Sequence, residues 1–256
     1  MKSERRHELQ QNSLIQSLYG LPDLLRKYGT QISVGMIVVA LILVWLRMHW
    51  NAAAQRQVDA HNNLAEAIAS LNQLQSLGVV PPGGEANAAQ GRSVWYSDGL
   101  SHAQDALDKS DTSDSAVRAQ ALIVQGDLNF ALADMPDLPG ATTQPSLRPD
   151  ISKTDLLANA QAAYSQVLSD YPNDSYALAA ARFGLAAVAE DLANAGSTPD
   201  PSQWDTARQQ YQAVIDDPNA PSAYKVYANA RLSMLSDLQQ RLAIGVPPPG
   251  AKPTTR

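Results

Sequence analysis

Cysteine is absent from these 256 residues, which excludes a disulfide framework, a zinc–cysteine centre, a thiol nucleophile and a lipid-modified cysteine anchor. Phenylalanine occurs only twice and charged residues make up 17% of the chain. Alanine and glutamine fill the gap, at 40 and 21 residues, a composition that favours helices packed through small side chains over a β-sandwich or barrel. Basic charge is also scarce over most of the length. Residues 51–256 carry 13 basic against 22 acidic side chains, a net −9, so the basic stripe that nucleic acid requires is missing. The same charge disfavours lying along anionic lipid. No glycine-rich phosphate loop occurs, because Gly83-Gly84 follows two prolines and leads to no Lys-Ser or Lys-Thr. His7, His49, His61 and His102 stand singly, with no partner at i, i+4 and no HExxH run. No metal, cofactor or small-molecule substrate is expected.

One long hydrophobic run stands out. Ile32 to Leu46 reads ISVGMIVVALILVWL, without a charge, and lies between Arg26-Lys27 and Arg47. With its borders, residues 30–50 would make about 30 Å of helix, the thickness of a bilayer core. Tyr28, Trp45 and Trp50 occupy the places of an aromatic belt, and Arg47 can snorkel to the interface. Lys2, Arg5, Arg6, Arg26 and Lys27 precede the run, while only Arg47 and Arg56 follow within twenty residues, so the N-terminus is expected on the cytoplasmic side. Ala52-Ala53-Ala54 offers a signal-peptidase site, but a leader of about 30 residues favours an uncleaved anchor. No Gly-x-x-x-Gly seam is present, since Val39 stands four residues after Gly35. The expected organisation is a cytoplasmic segment 1–29, a span 30–50, an exported helical domain 51–244 and a disordered proline-rich tail 245–256.

Beyond the span, Leu64, Ile68, Leu71, Leu74 and Leu77 form a stripe at helical period, so residues 51–77 are expected to continue the membrane helix as a stalk. Val79 to Arg92 reads as a loop around Pro-Pro-Gly-Gly. Helical patterns follow at 93–109, 115–133, 152–170, 175–194, 202–216 and 221–243, separated by proline-bearing loops at Met135–Pro149 and Asn194–Ser202.

These helices show internal similarity. Ala160, Tyr164, Val167 and Pro172 recur as Ala207, Tyr211, Val214 and Pro218, and Ala181-Arg182-Phe183-Gly184-Leu185 recurs as Ala230-Arg231-Leu232-Ser233-Met234. A small residue where helices approach, an aromatic filling the gap and a proline ending the turn make up the second-helix signature of a tetratricopeptide repeat. Ala119-Gln120-Ala121-Leu122 with Gly126 reads as an earlier copy, its own second helix delayed to 152–170 by the proline-rich insertion. The period is about 47 rather than 34 because of enlarged loops. The expected fold is all-α, a transmembrane helix running into a stalk and then a tetratricopeptide-like solenoid. On that reading Ala160, Tyr164, Pro172, Phe183, Gly184, Ala207, Tyr211 and Pro218 are core rather than ligand contacts.

Lys27-Tyr28-Gly29 entering a single span, Trp45-Leu46-Arg47-Met48-His49-Trp50 leaving it, a Gln/Ala-rich stalk and degenerate repeats together resemble the YfgM-type ancillary subunits of the bacterial SecYEG translocon. The resemblance covers residues 26–75 best and the repeats in kind only; the longer leader, the insertion at 135–149 and the tail depart from it. It implies a place in the bacterial inner membrane beside the protein-conducting channel. The partners it implies are translocon subunits, periplasmic chaperones and newly exported chains.

Two chemical motifs compete with a scaffold role. Ser222-Ala223-Tyr224-Lys225 has the Ser-x-x-Lys spacing of penicillin-binding enzymes but neither companion motif, and Ser222 after Pro221 reads as a helix start. Asp108, Asp111 and Asp114 suggest calcium, but the twelfth loop position is Ala119 rather than a glutamate, so a capped turn is expected. A non-enzymatic scaffold is therefore the expected role, with an envelope-assembly or cell-division scaffold as the alternative.

Overall fold

The computed structural model describes residues 21–141, 143–195 and 200–242. The expectations for the residues before 21 and for the tail 245–256 lie outside them. Seven α-helices account for nearly all of the described residues, among which there is no strand: α1 Leu21–Ser76, α2 Glu85–Lys109, α3 Ser115–Asp134, α4 Lys153–Asp170, α5 Ser175–Ala195, α6 Pro201–Asp216 and α7 Ser222–Leu242. A 3-10 turn, Pro145–Leu147, lies between α3 and α4. The chain divides into two compact units at Gln55/Arg56, within α1.

In the first unit, α1 is one apolar helix that, among the described residues, buries none of its large side chains. Its large side chains from Val34 to Trp50, Leu46 aside, are 49–68% exposed. Among the described residues this is the one helix long and apolar enough to cross a bilayer.

In the second unit, local sequence explains where each helix starts. Asp114, Ser152, Asp174 and Asp200 each accept a backbone N–H from the first turn that follows, at 2.9 to 3.3 Å. Gly83, at φ +82, makes the turn that lets α2 begin. α2 starts at Glu85, eight residues before the expected 93, because the breaker is only four residues wide and Glu-Ala-Asn-Ala-Ala-Gln behind it is free to coil.

Each helix from α2 to α7 packs on the next, and α3 also touches α5, which in turn touches α7. One core joins the end of α1 with α2, α3, α4 and part of α5; a second joins α5, α6 and α7. Residues 56–76 therefore do not stand free as a stalk: Ala60, Ala67, Leu71 and Leu74 are buried, Leu64 packs against them, and Ile68 faces outward. The buried stripe uses alanines that a search for large apolar residues passes over. The proline-rich segment after α3 is packed as well, with Leu138, Ala141 and Leu147 buried against Ala88.

Candidate functional site

The residues singled out from sequence fall into two groups. Trp45, Arg47 and Trp50 are exposed on the apolar helix, with Trp45 stacked on His49 at 5.6 Å between ring centroids. Tyr28 lies in α1, at a position whose side chain is outside the described residues. Ala160, Tyr164, Ala207 and Tyr211 are buried, each at 1% exposure or less. Pro172 and Pro218, expected in the repeat core, are instead exposed, because each sits in the turn that ends its helix, after α4 and α6, where Asp174 N–H bonds Tyr171 O at 3.1 Å and Ala220 N–H bonds Asp217 O at 3.2 Å. Gly184 lies against Tyr164 from α5, and Gly126 does so from α3. A methyl added at either glycine would stand 2.4 to 2.5 Å from the tyrosine ring.

Both tyrosines end on a carboxylate of a neighbouring helix. Tyr164 donates to Asp127 Oδ1 at 2.6 Å, and Tyr211 donates to Glu190 Oε1 at 2.7 Å. The surroundings of the two acids differ. Glu190 also accepts from the Arg231 guanidinium, whose Nε lies 3.0 Å from each carboxylate oxygen while Nη2 bonds Oε2. Asp127 has the tyrosine as its one hydrogen-bond partner among the described residues. Burial pushes its carboxyl up to about 6 from 3.8, and the Tyr164 hydroxyl counters only part of that. Tyr164 itself is raised well above its ordinary value, by burial first and then by the neighbouring Asp127 charge.

Asp127 and Asp134 share one face of α3 and line a cavity of ≈ 260 Å³ with Phe130, Met135, Gln75 and Gly78. Asp134 is raised by burial and by the charge of Asp191, against the pull of Lys153 and Arg231. Lys153 Nζ pairs with Asp191 Oδ2 at 3.2 Å. The carboxylates are thus drawn together on α3 and α5 and answered by cations from α4 and α7. Sequence reasoning found the tyrosines and glycines, and Arg231 only as a repeat position, but neither Asp127 nor Glu190 nor the pairing among them. The bonds span 37, 21 and 41 residues, so no fixed spacing marks them.

The two chemical motifs resolve locally. Lys225 Nζ reaches Pro218 O at 3.4 Å, and no bond joins it to Ser222 among the described residues. Asp114 caps α3 and lies 3.5 Å from His61, Asp111 bonds Thr112 and Ser113, and Asp108 accepts from Gln104. Among the described residues no group of three such side chains could hold a metal ion. No family model, curated protein or solved structure matches this chain.

Proposed function

We propose that this chain is a single-pass, N-in protein of the bacterial inner membrane whose helical domain is an extracytoplasmic docking scaffold of tetratricopeptide type. The observation that carries the membrane role is the bare apolar stretch of α1. A run of Ile, Val, Leu, Met and Trp side chains about half to two-thirds exposed is costly in water and ordinary in lipid. Trp45, Arg47 and Trp50 at its end fit the interfacial level, and the basic bias before the span favours a cytoplasmic N-terminus.

The repeat reading is supported by the alternation of contacts. In stacked helix pairs the first helices of successive pairs touch one another, as α3, α5 and α7 do, while α4 and α6 alternate with them. Tyr164 and Tyr211 fill the gaps between pairs. A scaffold of this kind holds protein partners rather than a substrate, and the resemblance to YfgM-type subunits points to the SecYEG translocon, periplasmic chaperones and exported clients.

Purification of the tagged full chain in mild detergent, followed by mass spectrometry, tests the partners. Co-recovery of channel subunits and periplasmic chaperones is expected. Recovery of envelope-assembly or division proteins in their place would move the scaffold to that setting and reject the translocon role. Reporter fusions at residues 20 and 230 test the orientation, with the second active outside the cytoplasm and the first inside.

A further inference from the structure

One cavity of the second unit is not accounted for by the docking role. It measures ≈ 500 Å³, within the range of small-molecule sites, and lies between the first half of α2 and the segment Ser146–Ile151. Its wall is mainly apolar, with Val94, Leu132, Leu147 and Ile151 among the larger side chains. The proline-rich insertion, which the repeat pattern leaves unexplained, supplies one side of it.

The charges on this wall run against the acidic character of the domain. Arg92 is the one basic residue between Arg56 and Lys109, and it is 6% exposed. Its Nη1 donates to Pro136 O at 2.9 Å and its Nη2 to Leu77 O at 3.1 Å. Among the described residues Nε is buried without a partner, and no carboxylate forms an ion pair with the group. Two of its five N–H donors are used. Burial weakens its hold on the proton, and the charge of Asp137 restores only part of it. Pinning two carbonyls requires donors but no charge, and an unpaired buried cation is costly. Arg148 shares the cavity from its exposed side. Its Nε donates to Ala141 O at 2.8 Å, and its Nη groups have no hydrogen bond among the described residues. One acid, the exposed Asp150, also lines the cavity, so its lining includes two arginines against one carboxylate.

We propose that this cavity binds a monocarboxylate with an unbranched apolar chain. The chain lies against Val94, Leu132, Leu147 and Ile151, and the carboxylate pairs with the Arg92 and Arg148 guanidinium groups. The net charge of the lining matches one negative charge, so Asp150 disfavours a phosphate dianion, and the apolar wall disfavours a head group without a tail.

Octanoate is the probe, titrated calorimetrically into the full chain in nanodiscs, with empty nanodiscs as the blank and octanol and octyl phosphate as comparators. Saturable octanoate binding is expected, about tenfold or more tighter than either comparator. Arg92→Met risks unfolding because Arg92 holds two carbonyls, so Arg148→Ser and the cavity-filling Ser93→Phe carry the test. Each should weaken octanoate binding by about tenfold or more while the helical circular dichroism and melting temperature stay near wild type. Heats no larger than the blank, equal binding of octanol, tighter binding of octyl phosphate, or unchanged affinity in a folded Ser93→Phe variant would each overturn the proposal.

Discussion

Tyr164 and Tyr211 stand 47 residues apart in matching motifs, are equally buried, and each ends on a carboxylate; their neighbourhoods nevertheless solve the problem of a buried acid in opposite ways. At the second joint the Arg231 guanidinium forms an ion pair with Glu190. At the first, Asp127 has no such cation among the described residues, and burial raises its carboxyl to about 6 instead. The walls differ too. Tyr164 is gripped between Gly126 and Gly184, whereas Tyr211 meets Phe183 edge-on at 5.3 Å. A repeated motif therefore fixes where the aromatic goes, while the polar chemistry at its tip is free to diverge.

The largest expected effect removes the feature that the joints share. Tyr164→Ala and Tyr211→Ala should each cost about 3–5 kcal/mol, read by chemical unfolding of the full chain in detergent. A loss below about 1 kcal/mol at either would mean that the ring is not part of the core there. Next comes the ion pair. Arg231→Met leaves Glu190 buried and unpaired, and should cost about 2–3 kcal/mol, less than a fully buried pair because the Arg231 side chain is 44% exposed. Tyr211→Phe in that background should destabilise further, since the carboxylate would lose its last donor among the described residues.

The joints should also part company with pH. Asp127 has a folded-state value above its unfolded value, so between pH 3.8 and about 6 the folded protein binds more protons than the unfolded chain. Stability from this group is highest below pH 3.8, falls as pH rises through the window, and levels off above 6, for a total on the order of 2–3 kcal/mol. Asp127→Asn should flatten that component and make the protein more stable than wild type at pH 7. Equal slopes in the wild type and the variant, measured by thermal melting from pH 4 to 7, would show that Asp127 titrates normally.

The smallest effect sharpens the contrast in packing. Gly184→Ala gains about 1 kcal/mol in helix propensity but drives a methyl into the Tyr164 ring, for a net loss of about 1–2 kcal/mol. Ser233→Ala, at the matching but exposed position of α7, should be neutral or slightly stabilising. A difference near zero between the two in melting temperature would mean that α5 can move away from the ring.

What the sequence alone determined was everything carried by local pattern. Periodicity, proline and capping residues located six helices after α1 and ended most of them within a residue or two, because those signals act over a single turn. The apolar run from Ile32 to Leu46 was legible for the same reason, as were the alanines and tyrosines of the repeated motif. The start of α2 was missed because Arg92 and Gly91 read as loop residues until the Pro-Pro-Gly-Gly breaker is seen to end at Gly84.

Only the tertiary structure decided which partners those side chains meet. Leu71 and Leu74 read equally well as one face of a stalk; packing against α2 and α3 made them core. Asp127 and Glu190 are two unremarkable acids in the chain, and folding set one beside a lone tyrosine and the other beside a guanidinium. Arg92 and Arg148 are 56 positions apart and line one cavity because the proline-rich segment folds back over α2. Burial and pairing depend on contacts distant in sequence, so they are settled by how the helices stack and not by any residue's immediate neighbours.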